Sequence, residues 1–393
     1  MMPLEEINPV EIGERLRIAR EAAGISQATA ATSINVARTT IVAIEQGQRR
    51  VRRSELQQLA KFYGTSVNAL LRREAIQVDL APLFRKLAGS SDSSVDAAAK
   101  LLGDLAKAEV ELENLLGVKR TPNYPPERPI LRGDVRAQAE QDAMELRQRL
   151  GLGVSPVSDI VTLLELELGV RVYVRRLDGD ISGLFAYDEA LGPCILLNAN
   201  HPRERRTQSA AHEAGHLVST RREPEVLHGH EVENSREERY ANAFARAFLT
   251  PARGVAQKFG EVTAGSDRLT RRHVIVLAHF FGVSREAMVR RLEELALIKA
   301  GTWDWFQSNG GITDEQARQV LGDLSVADAQ KADADRPTTL RLNLLAEEVY
   351  RRGLLSEGQL ARLLNLDRLE LREILAGMEP EGSEADGVAN FLD

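Results

Sequence analysis

The sequence predicts a mainly α protein with a small β-sheet, an α+β chain divided into more than one domain. Apolar residues recur at helical spacing along most of the chain, from residues 11–73 near one end to 340–375 near the other. Residues 170–175, 181–187 and 194–197 instead have the pattern of short strands. Because 393 residues exceed the size of one typical core, we expect two or three folded units.

Four predicted regions divide the chain. Residues 1–77 read as a five-helix domain that contains a helix-turn-helix, and 78–129 as a helical connector ending in a linker with four prolines between residues 119 and 129. Residues 130–305 form the predicted main domain, which contains the sheet. Residues 306–393 form a helical C-terminal region with an acidic tail.

The composition is typical of a globular protein without a membrane span. Hydrophobic residues make up 43% of the chain, and no apolar run approaches the roughly 18 residues that a membrane helix needs. The first ten residues carry Glu5 and Glu6 and lack a secretory signal pattern, so we expect a cytoplasmic protein. The single cysteine, Cys194, excludes an internal disulfide and thiolate metal clusters. Any metal ion is therefore expected to have histidine and carboxylate ligands.

The net charge of −7 hides a local excess of positive charge. Residues 1–77 contain eleven Arg or Lys residues and eight Glu, a balance of +3, so the other 316 residues carry −10. The stretch 38–53 contains five arginines and the single acidic residue Glu45. A small basic module attached to an acidic body is compatible with nucleic-acid binding by the module alone.

The pattern of residues 24–45 predicts two short helices joined by a tight turn. Ser26 is placed to cap the first helix after Gly24. Asn35 stands where the turn needs a left-handed backbone. Ile41 and Ile44 then face inward on the second helix, whose short polar residues face outward and suit a major groove.

Residues 12–71 resemble the XRE (Cro/lambda-repressor-like) helix-turn-helix family. The matching positions are Arg15-Leu16-Arg17, Arg20, Gly24, Ser26-Gln27, Val36, Arg38, Thr40-Ile41, Ile44-Glu45, Gly47, Arg49, Leu56, Leu59-Ala60 and Leu70-Leu71. Asn35 and Ala37 depart from the usual glycine and serine. The resemblance implies binding to a double-stranded DNA operator, with Arg49 on the DNA backbone and five other contact residues: Gln27, Arg38, Thr39, Thr40 and Ala43.

The sequence His212-Glu213-Ala214-Gly215-His216 is an HExxH motif. Residues four apart lie on one helix face, so both imidazoles can bind one metal ion while Glu213 reaches a water molecule. A second helical stretch places Glu238 and Asn242 four residues apart. We expect Glu238 to be the third ligand and Asn242 to hydrogen-bond a ligating histidine.

The HExxH motif and the segment from Glu238 to Pro251 together resemble the ImmA/IrrE family of zinc peptidases, with similarity over roughly residues 133–301. Gln208 and Thr250 depart from the family pattern outside the expected ligands. The resemblance implies a zincin-like fold, a Zn²⁺ ion held by His212, His216 and Glu238, and Glu213 as the catalytic base. A site that binds zinc but has no catalytic activity is the alternative interpretation.

The combination predicts a transcriptional regulator, a repressor whose peptidase-like domain senses a signal or cleaves a protein target. One alternative is an antitoxin that represses its own operon and neutralises a partner toxin through residues 310–393. Another is a protease that inactivates a separate repressor.

We expect a homodimer that reads two half-sites. Apolar positions repeat in heptads over residues 95–116, and this helix either dimerises or packs on its own domain.

Overall fold

The computed structural model describes residues 9–65, 67, 70, 93–178, 180–228, 235–322 and 338–376. The chain divides into two compact units, Met1–Gln77 and Val78–Asp393. The first division coincides with the predicted end of the helix-turn-helix domain. The predicted connector and C-terminal region do not form separate compact units, and the acidic tail lies outside the described residues. Among the described residues, no helix combines the length and apolarity that a membrane span requires.

The first unit is a helical bundle. Its described helices are α1 (Pro9–Ala22), α2 (Gln27–Ser33), α3 (Arg38–Glu45) and α4 (Arg53–Phe62). Ser26 caps α2 as predicted, because its hydroxyl accepts a hydrogen bond from the Thr29 backbone nitrogen at 3.1 Å. Asn35 has a φ of 55°, the predicted left-handed turn. The predicted fifth helix lies largely outside the described residues.

A glycine lets α1 lie directly against the end of α3. A Cβ atom on Gly13 would stand 2.2 Å from the carbonyl oxygen of Ile44, closer than any real contact. The two helices bury Leu16, Ile41 and Ile44 together in the core of this unit. The inward direction predicted for the two isoleucines is therefore confirmed.

The second unit contains a four-stranded mixed sheet. Its strands are β1 (Arg171–Arg175), β2 (Ile181–Asp188), β3 (Gly192–Asn198) and β4 (Glu225–His228), in the order β1-β3-β2-β4. β1 runs parallel to β3, whereas β2 is antiparallel to both β3 and β4. The three predicted strands correspond to β1 to β3, and β4 was not predicted. With helices around this one sheet, the α+β class is confirmed.

Helices cover both faces of the sheet. In chain order they are α5 (Ser93–Leu116), α6 (Val135–Arg149), α7 (Ile160–Thr162, continued as a π-helix over Leu163–Glu167), α8 (Arg203–Ser219) and α9 (Arg236–Leu249). On one face, α8 packs against β2 and β3, and α9 packs against α8 and α6. Side chains alternate along β1, so Val172 joins this core while Tyr173 faces α5 on the other side.

The remaining described helices follow α9 in the sequence. They are α10 (Ala252–Val262), α11 (Arg271–Phe281), α12 (Arg285–Glu294), α13 (Thr302–Ser308), α14 (Asp314–Leu321), α15 (Leu340–Arg351), α16 (Glu357–Leu364) and α17 (Arg368–Ala376). The segment from α11 to α14 builds a small core around Val274, Val289 and Trp303.

Residues 339–351 pack on α5, the first described helix of this unit. α15 lies against α5, and the Thr339 hydroxyl donates to the Val172 carbonyl of β1 at 3.1 Å. Four of the predicted heptad positions of α5 are buried inside this unit: Ala98, Leu105, Ala108 and Leu112. Of the two roles predicted for this helix, the structure therefore favours packing on its own unit. The homodimer stays a separate prediction.

A buried ion cluster joins α5, β1 and α15. Glu109 contacts Arg120 and Arg171 and accepts a hydrogen bond from the Tyr173 hydroxyl at 2.6 Å. Arg341 of α15 contacts Glu109 at 3.3 Å. Burial alone would raise the pKa of Glu109, but the arginines and Tyr173 hold it below its ordinary value. The carboxylate is therefore charged and links three elements that are distant in the sequence.

Glu165 gives the second unit a predicted pH dependence. Burial raises the pKa of this carboxyl from its ordinary value of 4.5 to about 8, and the hydrogen bond of the Thr339 side chain opposes the rise only in part. Because the folded-state pKa is raised, its stabilising contribution is complete below about pH 4.5 and is lost as the pH rises through about 8. Between these values, we expect the free energy of unfolding to fall by up to about 1.4 kcal/mol per pH unit relative to Glu165→Gln. Urea unfolding of both proteins across this range measures the difference, and parallel pH profiles would contradict it.

Candidate functional site

Three side chains from α8 and α9 converge inside the second unit. His212 and His216 lie one turn apart on α8, both almost fully buried, with their Nε2 atoms 3.1 Å apart. Glu238 of α9 places Oε2 3.4 Å from Nε2 of His212 and Oε1 3.2 Å from Nε2 of His216. The structure thus brings together the three residues predicted as metal ligands, with one potential ligand atom from each within 4.8 Å of the others.

The close approach of α8 and α9 depends on small residues. A Cβ atom at Gly215 would lie 2.9 Å from the Cα atom of Ala241. Glycine between the two metal-site histidines and alanine on α9 therefore let the helix backbones come near enough for Glu238 to reach both imidazoles.

The other imidazole nitrogens are held by hydrogen bonds. Nδ1 of His212 lies 3.0 Å from Oδ1 of Asn242, and Nδ1 of His216 lies 3.0 Å from Oγ1 of Thr220. Such contacts fix the ring orientation and direct both Nε2 atoms toward Glu238. Asn242 was predicted in this position. Thr220 was missed, although a hydroxyl four residues after His216, at the C-terminal end of α8, is a signal that the sequence contains.

Glu213 is completely buried beside the histidines. Neither carboxylate oxygen has a hydrogen-bond partner among the described residues. A Cβ atom on Gly183 of β2 would stand 3.1 Å from Oε1, so the glycine leaves room for the carboxylate against the sheet. Burial, reinforced by the negative charges of Glu225 and Glu238, raises the pKa of Glu213 well above its ordinary value.

The pKa shifts of Glu238 and His216 favour the forms that bind a metal ion. Burial alone would raise the pKa of Glu238, but its hydrogen bonds with His212 and His216 bring it well below its ordinary value. Burial lowers the pKa of His216. A charged carboxylate and a neutral imidazole are the forms that bind metals. Two nitrogen donors, one carboxylate oxygen and a free neighbouring carboxylate match the donor set of a catalytic zinc site.

The residues predicted to contact DNA lie on α2, α3 and the loop after α3. Arg38 and Thr39 are exposed at the start of α3, and Thr40 and Ala43 are half-buried. Nη2 of Arg38 donates to Oε1 of Gln27 at 3.5 Å, which links α3 to α2. Arg49 is apart from this pair and bonds Glu55 at 2.8 Å.

A buried ion pair lies behind the predicted DNA-contact residues of α2 and α3. Nε of Arg20 donates to Oε1 of Glu45 at 2.6 Å, and Nε2 of Gln27 donates to Oε2 of the same carboxylate at 2.9 Å. The hydrogen bond to Glu45 raises the pKa of Arg20 against the opposing effect of burial. Glu45 therefore ties α1 and α2 to the end of α3, a supporting role that the sequence analysis did not assign.

Comparison with family models assigns both regions. Residues 166–293 match the peptidase M78 family model, described as an IrrE N-terminal-like domain, and residues 11–73 match a helix-turn-helix domain. The chain joins a helix-turn-helix domain to an IrrE-like domain. The predicted fusion is therefore confirmed. A comparison with curated proteins gave no match.

The IrrE-like domain includes the whole candidate metal site but not everything that packs around it. His212, Glu213, His216, Glu238 and Asn242 all lie between residues 166 and 293. Outside the match, α5 packs on the sheet and on α15, and α6 packs on α9. The compact unit is thus larger than the IrrE-like domain.

Proposed function

We propose that the chain is a transcriptional repressor whose IrrE-like domain is a zinc metallopeptidase acting on a protein target. One observation carries the proposal: two histidines and a glutamate converge beside the buried Glu213, which has no hydrogen-bond partner within the described ranges, in a chain that also contains a helix-turn-helix domain. The helix-turn-helix domain supplies the DNA-binding activity, and the metal site supplies either hydrolysis or a signal-dependent change.

His212, His216 and Glu238 are the proposed zinc ligands, through the two Nε2 atoms and the carboxylate. Zn²⁺ held there would supply Lewis acidity that polarises a peptide carbonyl. Asn242 and Thr220 hold the imidazoles in the orientation that such binding needs.

Glu213 is the proposed general base. An oxygen of its carboxylate takes a proton from the attacking water as the carbon–oxygen bond forms, and the same oxygen then gives the proton to the leaving amide nitrogen as the carbon–nitrogen bond breaks. Glu213 is buried between its own helix α8 and Gly183 of β2, so bulk water does not reach its carboxylate.

Metal analysis of the protein purified without chelators tests the ligand set. We expect about one equivalent of zinc in the wild-type chain and almost none in the His212→Ala/His216→Ala double variant, because a single carboxylate is too few ligands for a stable site. Zinc retained by the double variant, or none in the wild type, would refute the assignment.

The proposed DNA contacts are Gln27, Arg38, Thr39, Thr40 and Ala43, with Arg49 on the backbone. Arg38→Ala and Thr40→Ala should each weaken operator binding, by roughly tenfold if one good base contact is lost. Gel shifts on an operator selected from random DNA measure this. Lys61→Ala, which removes an exposed positive charge on α4 outside the proposed set, is the control, and equal effects of Arg38→Ala and Lys61→Ala would contradict the docking.

The antitoxin alternative is favoured by exposed apolar side chains in the C-terminal region. In its described part, Leu344 is 49% exposed and Leu369 is 69% exposed. If these side chains bind a toxin, a Leu344→Glu/Leu369→Glu variant should fail to protect cells that express the neighbouring toxic gene, while the wild-type chain protects them. Equal protection by both proteins would remove this support.

A further inference from the structure

We infer that residues 118–133, which we call the strap, position the third metal ligand through Arg236. The inference rests on the proposed zinc site and adds a positioning residue to it. The strap is the extended, proline-containing segment between α5 and α6. It contributes no ligand, yet it contacts both of the helices that carry the ligands.

The strap is fixed to the body of the unit near its start. Nη1 of Arg120 donates to the Gly169 carbonyl at 2.7 Å, and the Asn123 backbone nitrogen donates to the Leu168 carbonyl at 3.1 Å. A Cβ atom on Gly169 would lie 2.6 Å from the carbonyl oxygen of Thr121, so the two backbones touch. This end of the strap is therefore anchored beside β1.

Further along, the strap is bonded to the C-terminal end of α8. The Arg128 backbone nitrogen donates to the Val218 carbonyl at 2.7 Å, just after the ligand residue His216. Nη2 of Arg221 donates to the Pro125 carbonyl at 2.5 Å, and its guanidinium lies 4.5 Å from the centre of the Tyr124 ring. The helix that carries both histidines is thus joined to the strap.

The strap also holds α9 on both sides of Glu238. Nη2 of Arg236 donates to the Leu131 carbonyl and, at 3.0 Å, to the Gly133 carbonyl. Two residues after Glu238, the Tyr240 hydroxyl donates to Asp142 at 2.7 Å, and the same carboxylate bonds Arg128 of the strap at 2.8 Å. The residues flanking the ligand are therefore both connected to the strap.

Glu238 needs such support because it lies in the first turn of its helix. Its backbone nitrogen has no acceptor within the helix and donates instead to Oγ of Ser235 at 3.0 Å. First turns fray unless they are fixed, and a metal ligand must be held within about 0.5 Å of its working position. Arg236 fixes this turn to the strap, and the strap fixes it relative to His212 and His216.

Zinc affinity of the full-length chain tests the inference, measured by competition with a chromogenic chelator. We expect Arg236→Ala to bind zinc roughly tenfold more weakly, as for other residues that orient metal ligands. Arg239→Ala is the matched control, because Arg239 is exposed on the same helix and its side chain, within the described part of the chain, bonds the Ser235 carbonyl at 3.3 Å and no part of the strap. Arg236→Lys should recover part of the affinity, since an ammonium group can donate to the same carbonyls.

Two further measurements separate positioning from folding. The visible spectrum of the Co²⁺-substituted protein should change in Arg236→Ala and not in Arg239→Ala, while both metal-free variants unfold at the same temperature. Tyr240→Phe, which removes only the hydroxyl bonded to Asp142, should also weaken zinc binding, and it decides the matter if Arg236→Ala misfolds. Wild-type affinity in both Arg236→Ala and Tyr240→Phe would overturn the inference alone. A wild-type chain that binds no zinc would overturn the proposed site as well.

Discussion

Glu213→Gln is expected to abolish peptide hydrolysis while leaving zinc binding intact. Glutamine has nearly the same shape and fits the space against Gly183, but it cannot take a proton from water. General base catalysis by a positioned side chain contributes about 10²–10⁴-fold to a rate, and we expect a loss of that size. Zinc content and cleavage of a labelled peptide mixture, measured on the same preparation, check both parts of the prediction.

Glu237→Gln is the control for this substitution. It makes the same chemical change next to the ligand Glu238, on a half-buried residue outside the proposed set of metal ligands and general base. Wild-type hydrolysis in Glu213→Gln would remove Glu213 from the mechanism. If hydrolysis is lost but the biological phenotype persists in the native host, cleavage is not the function of the chain, and a binding role such as the antitoxin gains support.

Glu45→Ala should cause the largest loss of stability in the first unit. The substitution leaves the Arg20 guanidinium buried without its main partner and removes the acceptor that holds Gln27. Breaking a buried ion pair from one side costs about 3–5 kcal/mol, a large share of the stability of a small domain. We therefore expect faster hydrogen exchange in α2 and α3 of the full-length chain and loss of operator binding.

Glu21→Ala tests whether burial is the reason. The Glu21 carboxylate contacts the same arginine at 3.4 Å, but half of its side chain is exposed. Exposed ion pairs contribute at most about 1 kcal/mol, so exchange in α2 and α3 should be close to that of the wild type. Equal effects of the two substitutions would show that the buried pair does not hold the unit together.

Features set by neighbouring residues could be predicted from the sequence. Ser26 caps α2 and Asn35 adopts the left-handed turn because both depend on local backbone geometry. The spacing within α8 and within α9 likewise placed His212 beside His216 and Glu238 beside Asn242. A coupled pair of motifs then made it possible to expect that the two helices meet.

Features that depend on contacts between distant residues could not be predicted. β4 has only four residues, too few for a period to be visible, and it pairs with β2 from about forty positions away. The prolines of the strap predicted a linker. Its bonds to α8 and α9 could not be predicted, because they are made by backbone atoms and arginines, which form no recognisable sequence pattern. The ion pair between Arg341 and Glu109 could not be predicted for the same reason.

The ion pair between α5 and α15 has a consequence for biosynthesis. Arg341 and Glu109 are 232 positions apart, so the ribosome must add most of the chain before the buried carboxylate meets its last partner. The helix-turn-helix unit, complete by residue 77, can fold early in translation, whereas the contacts of the second unit with α15 can form only after residues 340–351 have been added. A nascent chain therefore acquires its DNA-binding domain first. Messages cut short before residue 340 would yield a folded DNA-binding domain joined to an incomplete partner unit.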